Sequence, residues 1–206
     1  MKIVIGVDEV GFGAIAGPFV VAAVAFQEGV SKPVLKRTKR KDTPVKDSKA
    51  INKKILPLFD SLIRRTNEQH AIITRSAWEV DRDGAKYIRE TTMAAAVIRL
   101  LGRLSFRYAE DYEYRVIVDG DLDLGDVPFR YKAQAKADET VWQVSCASIL
   151  AKTRQIQCMH EMHQRHPVYA WDCNNGYGTP THLAALKEHG VTRYHRRTYR
   201  TVKELL

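Results

Sequence analysis

At two distant points the chain sets acidic residues directly after a short hydrophobic run, and this pattern limits its architecture more than any other feature. Ile3 to Val7 closes on Asp8, Glu9 and a Gly11-x-Gly13 pair, which predicts a buried strand feeding a loop. Arg115 to Val118 ends in the same way at Asp119-Gly120. Open α/β sheets gather their sites at the carboxyl ends of strands, so neighbouring parallel strands would bring these acids close together. Carboxylates crowded in a partly desolvated cleft repel, and a divalent cation removes the conflict. Oxygen ligands with no His or Cys beside them favour Mg2+ or Mn2+ over zinc or copper. Adjacent residues on a regular strand face opposite ways, so Asp8 and Glu9 share a site only if the strand ends or bulges there.

The remaining pattern predicts a mixed α/β sheet with helices on its faces, folded as one domain over residues 1–206. Phe19 to Phe26 is continuously apolar and reads as a second strand returning beside the first. Lys32 to Lys54 carries ten Lys or Arg against two acids and reads as a basic surface loop. Ile51, Ile55, Leu58 and Leu62 then mark an amphipathic helix that Pro57 weakens. Ala71 to Thr74 is a candidate third strand. Tyr87, Thr91, Ala94, Ile98 and Leu101 mark a helix stopped by Gly102. Thr140-x-x-Gln143 has the form of a capping box, opening a long helix with Trp142, Cys146, Ile149, Thr153 and Ile156 on one face. Thr179-Pro180 reads as the cap and first residue of a helix running to Gly190.

By spacing alone Asp138 is a helix cap, while Asp121, Asp123 and Asp126 are eligible ligands in the loop after Asp119. Lys and Arg exceed Asp and Glu by 33 to 24, a net +9 that favours a polyanionic partner such as nucleic acid. Lys49, Lys152 and the Arg193 to Arg200 cluster, Arg196 among them, are candidate phosphate contacts. The three cysteines form no Cys-x-x-Cys pair, which points away from a disulfide framework or zinc cage and toward a reducing cytoplasm. No run is apolar and long enough for a signal peptide or a membrane span, so the expectation is a soluble, cytoplasmic protein. His160, His163 and His166 read as helix-surface residues; Trp142 and Trp171 read as core.

GVDEVGFGAIAGP at positions 6–18 resembles the opening signature of ribonuclease HII, in which a strand ends in Asp-Glu and continues into Gly-Arg-Gly. Asp47-Ser48-Lys49, Val118-Asp119-Gly120, SCASILAKTR at 145–154, Asn175-Gly176-Tyr177-Gly178-Thr179 with His182, and His195-Arg196-Arg197 resemble its further elements in the family's order.

The resemblance implies a ribonuclease H-like mixed sheet flanked by helices, with a C-terminal helical segment, about residues 168–206, that contacts substrate. It implies Asp8, Glu9, Asp119 and Asp138 as metal ligands for two Mg2+ or Mn2+ ions, overriding the cap reading of Asp138. The implied activity is endonucleolytic: the RNA strand of RNA–DNA hybrids is hydrolysed, and duplex DNA is cut 5′ of embedded ribonucleotides, leaving a 5′-phosphate and a 3′-hydroxyl. Gly11, Phe12 and Gly13 would read the ribose 2′-hydroxyl through main-chain groups, and Tyr177 would stack on the neighbouring deoxyribose. A monomer is expected. The chain departs from the family at Phe12, Asn175 and Gln155, where Arg, Lys and Asp are usual, and Phe12 removes one guanidinium that could meet phosphate. Competing expectations are a ribonuclease HIII-like nuclease, which carries an additional amino-terminal domain, a non-catalytic hybrid-binding module, and an actin-like phosphotransferase.

Overall fold

The computed structural model describes residues 1–36, 42–45, 51–66, 69–108 and 112–206. They group into two compact units: Met1–Glu9, Val21–Ile73 and Glu90–Thr153 form one, and Val10–Val20, Thr74–Arg89 and Arg154–Leu206 the other.

In chain order, β1 is Lys2–Val10, β2 Phe19–Gln27, β3 Val34–Leu35 and β4 Thr43–Pro44; α1 is Leu56–Thr66, β5 His70–Arg75, α2 Ala77–Asp83 and α3 Ala85–Tyr108. Then come β6 Glu113–Asp119, β7 Tyr131–Gln134, α4 Ala137–Thr140, α5 Trp142–Arg165, α6 Trp171–Asn174, α7 Pro180–His189 and α8 Arg200–Lys203. The main sheet has the order β5-β2-β1-β6-β7. The Glu28 N–H donates to the Lys2 carbonyl at 2.9 Å, so β2 returns antiparallel to β1, while β6 pairs parallel with both β1 and β7. This is the mixed sheet that the sequence predicts.

β2 is buried from Phe19 to Phe26, as its unbroken apolar run requires. Gly6 lets α5 lie directly on β1, because a Cβ there would overlap the Gln143 main chain. Residues 143–151 of α5 are consequently buried on every side rather than along one face. In the second unit, Met159, Met162, Tyr169, Trp171, Leu186 and Val202 pack with Ile15 and Ala16. Trp171 is core as expected, whereas Trp142 is half-buried with its ring against Phe26.

Several boundaries differ from expectation. β1 does not end at Val7 but carries Asp8 and Glu9 within it, since main-chain pairing is indifferent to side-chain polarity. Pro57 falls in the first turn of α1, where its missing N–H has no intrahelical partner to lose. α3 runs through Gly102 to Tyr108, burial of Leu104 outweighing the glycine's cost of about 1 kcal/mol. Thr140 closes α4 instead of capping α5, and its hydroxyl accepts from Gln134 Nε2 at 2.8 Å. β3 and β4 form a two-stranded ladder inside the expected basic loop. α7 has the expected Thr179 cap and ends at Gly190, whose φ is +76°.

Candidate active site

The first unit brings together acids from three elements. β1 and β6 are in parallel register with Val7 opposite Val118, so Asp8 and Asp119, one residue further on, occupy the same level of neighbouring strands. β7 continues that register with Gln134 opposite Asp119, and α4 begins three residues later. Asp138, in the first turn of α4, donates its N–H to Asp119 Oδ1 at 3.3 Å. One carboxylate oxygen from each of Asp8, Asp119 and Asp138 lies within 4.8 Å of the others.

The group is poorly solvated, with Asp8 and Asp138 buried and Asp119 half-buried. Burial, followed by the charges of Glu9 and Asp119, pushes the Asp8 carboxyl well above the usual carboxylate range. The Ser148 hydroxyl and the Glu9 N–H, 2.7 Å from Asp8 Oδ1, oppose that shift. An all-oxygen donor set, crowded and starved of water, fits a hard divalent cation: such an ion would neutralise the repulsion that raises Asp8.

Glu9, expected as a fourth ligand, is half-buried beside Asp8 but is not in this three-acid group. It follows Asp8 in β1 beyond Val7, the last residue in register with β6, and its charge still acts on the Asp8 carboxyl. Asp121, Asp123 and Asp126 are outside the group as well. Asp123 accepts from the Tyr131 hydroxyl at 2.8 Å and the Gly125 N–H at 2.9 Å, a loop-ordering role. Two residues of the SCASILAKTR segment have roles that the sequence leaves unassigned: Ser148, which bonds Asp8, and Ser145, whose hydroxyl donates to the Asp138 carbonyl at 2.7 Å. Their signal was two hydroxyls one turn apart in an otherwise small and apolar stretch of α5. Lys152, one turn beyond Ser148, is half-buried. Lys49 lies outside the described residues, with Asp47 and Ser48.

The second unit holds the other expected contacts. Gly11 has φ +86°, and a Cβ there would stand 2.7 Å from the Pro18 carbonyl oxygen. Phe12 and Gly13 are exposed, and the Arg89 guanidinium sits 5.0 Å from the centre of the Phe12 ring. Tyr177 is 38% exposed.

Behind Tyr177 runs a directed chain of hydrogen bonds. Trp171 Nε1, which can only donate, reaches His182 Nε2 at 3.0 Å. The proton of the neutral His182 ring is therefore on Nδ1, 2.9 Å from the Tyr177 carbonyl. The Thr192 N–H donates to His195 Nδ1 at 3.0 Å, leaving that ring's proton on Nε2, 3.2 Å from His182 Nε2. Burial lowers the His182 pKa, and burial together with the neighbouring His182 lowers that of His195 to about 4.

Arg196 requires a correction. Expected at a phosphate, it is 0% exposed, and its guanidinium donates to the Phe12 carbonyl, the Gly17 carbonyl and the Tyr199 hydroxyl. A fully enclosed guanidinium engaged in this way holds the loop instead of reaching into solvent. Arg193, Arg197 and Arg200 are exposed. Of the three histidines read as surface residues, only His160 is exposed; His163 meets Asp172 at 3.2 Å and His166 packs on Trp171.

Comparison with known proteins gives a consistent result. The family model for ribonuclease HII matches residues 5–202. The ribonuclease HII of Pelagibacter ubique is 32% identical over 208 residues, covering all of both chains. That of Paraburkholderia xenovorans is 37% identical over 203 residues, which is 98% of this chain and 74% of the relative. In three dimensions the crystal structure of ribonuclease H2 from Pyrococcus horikoshii superposes with a TM-score of 0.72 at 20% identity, covering 98% of this chain and 96% of the other.

Proposed function

Since the chain belongs to the ribonuclease HII family and is a metal-dependent ribonuclease H acting on RNA–DNA hybrids, we propose that it also cuts duplex DNA 5′ of single embedded ribonucleotides. The products would be a 5′-phosphate and a 3′-hydroxyl. The observation that carries this reading is the convergence of Asp8, Asp119 and Asp138 within 4.8 Å from three separate elements.

Asp8, Asp119 and Asp138 would hold the divalent ions, Mg2+ or Mn2+, with Glu9 completing the set beside Asp8. Two such ions, when bound, supply the positive charge that neutralises the scissile phosphate and activates water for in-line displacement. The protein's own part is placement. Ser148 and the Glu9 N–H orient the Asp8 carboxylate, and Ser145 holds the Asp138 peptide, so the donor oxygens need not reorganise when the substrate arrives. Gly11, Phe12 and Gly13 would read the ribose 2′-hydroxyl, which is the handle that separates RNA from DNA at one sugar. Tyr177 would stack on the adjacent deoxyribose, and Lys49 and Lys152 would meet phosphates without reading sequence. We further propose that both units serve one catalytic domain, with residues of about 168–206 contributing substrate contacts, and that the protein is a cytoplasmic monomer. Among the described residues no helix is long and apolar enough to cross a membrane.

The test compares a duplex carrying one ribonucleotide, a continuous RNA–DNA hybrid and an all-DNA duplex, each with Mg2+ and with Mn2+. Cutting of the first two on the 5′ side of ribose, with all-DNA spared, is the expected outcome. Cutting of the hybrid alone would reject the single-ribonucleotide activity, and binding without cutting would reject the hydrolytic role.

A further inference from the structure

Residues 11–14 form a β-turn closed by the Ala14 N–H on the Gly11 carbonyl at 3.3 Å, with Phe12 and Gly13 in its two central positions. The peptide joining those two residues is the part of such a turn that can flip. Rotating it by roughly 180° turns type I into type II, which demands a positive φ at the third residue, a conformation glycine accepts readily. Gly13 is not among the residues with positive φ, which is the type I arrangement. Local sequence leaves the choice open, since glycine permits both.

Two side chains remove that freedom. Arg196 Nη1, at 2.9 Å, and the Tyr199 hydroxyl, at 2.6 Å, both donate to the Phe12 carbonyl. Arg196 Nη1 also donates to the Tyr199 hydroxyl at 2.9 Å and Nη2 to the Gly17 carbonyl at 3.1 Å, while the Arg196 N–H donates to the Ile15 carbonyl at 2.8 Å. The guanidinium thus grips the turn and the chain that follows it from one buried position. In a trans peptide the C=O and N–H point in opposite directions. Drawing the Phe12 carbonyl inward therefore turns the Gly13 N–H outward, at a residue with open space where a Cβ would stand.

We infer that Arg196 and Tyr199 are positioning residues that select this peptide orientation and preset the Gly13 N–H as a donor to an oxygen acceptor on the substrate. The inference rests on the proposed reading, in which that acceptor is the ribose 2′-oxygen. The clamp acts before substrate arrives, so its contribution falls on binding: a turn that spends time flipped lowers the competent fraction and raises the apparent dissociation constant by the same factor.

Tyr199→Phe removes one of the two donors with little change of volume, and Arg196→Lys replaces the forked grip by a single ammonium. On the duplex carrying one ribonucleotide, Tyr199→Phe is expected to raise KM about fivefold at unchanged kcat, and Arg196→Lys more. In the free protein the flip brings the Gly13 amide proton toward the Phe12 Hα. A strong nuclear Overhauser cross-peak between them, weak in the wild type, is expected to appear in both variants. Folded Tyr199→Phe protein with wild-type KM and no new cross-peak would overturn the inference, as would a loss confined to kcat or melting temperature. Failure of the wild type to cut this duplex would count against the proposed function alone, because the cross-peak reads the clamp without substrate.

Discussion

Acidification from about pH 7 to pH 4 is expected to cost the protein about 3 kcal/mol of stability through His195 alone. The buried ring has a pKa of about 4, against 6.5 for an ordinary histidine; at roughly 1.4 kcal/mol per pH unit the full gap is worth about 3.5 kcal/mol, of which about 3 is lost by pH 4, where the folded ring is half-protonated. The direction follows from which state binds protons. Between about pH 6.5 and pH 4 the unfolded chain takes a proton on His195 and the folded chain does not, so stability is full above 6.5, falls through this window, and levels off below it. The physical obstacle is burial of the ring, reinforced by His182 beside it and opposed in part by the Thr192 main chain. Urea unfolding followed at half-unit pH steps measures the loss. Carboxylate contributions common to both proteins cancel when wild type is compared with His195→Gln, which should lack most of the decline. Stability curves for the two proteins that stay parallel within about 1 kcal/mol across the window would refute the argument.

Three further outcomes are expected. Asp119→Asn should lower kcat/KM on a hybrid by at least about a thousandfold while leaving the circular dichroism spectrum unchanged, and near-wild-type turnover would remove Asp119 from the chemistry. Asp8→Asn should raise the melting temperature by a few degrees in chelator, because it removes the burial cost of the charge and the repulsion from Glu9 and Asp119 that lift the Asp8 pKa; the order should reverse in millimolar Mn2+, and a lower melting temperature in chelator would refute this account. Gly176→Ala should destabilise by about 3 kcal/mol or more in denaturant titration, since φ is +81° and the new Cβ would overlap the Ala16 carbonyl; a change under about 1 kcal/mol would show that the turn can relax.

The parallel pairing of β1 with β6 could be anticipated because both runs are apolar and both end in acid, two signals carried by adjacent residues. Asp138 could not be ranked this way. Its neighbourhood with Asp119 depends on β7, four residues of middling polarity that become a strand only by pairing with β6. The same loss of local signal explains Gly102, whose helix-stopping tendency is overridden by packing further along α3. Arg196 misled for a different reason. An Arg in a basic, tyrosine-containing stretch reads as solvated, and the carbonyls of Phe12 and Gly17 that enclose it lie 184 and 179 residues away along the chain.

That separation dictates an order of assembly. The acids at 8, 119 and 138 and the helix that supports them are all synthesised before the guanidinium that fixes the turn at 12–13. Every carboxylate of the metal group precedes residue 196 in the chain, whereas both side chains that hold the Phe12 carbonyl lie at or beyond it. Truncation before residue 196 would spare all three acids and remove both side-chain donors to the Phe12 carbonyl.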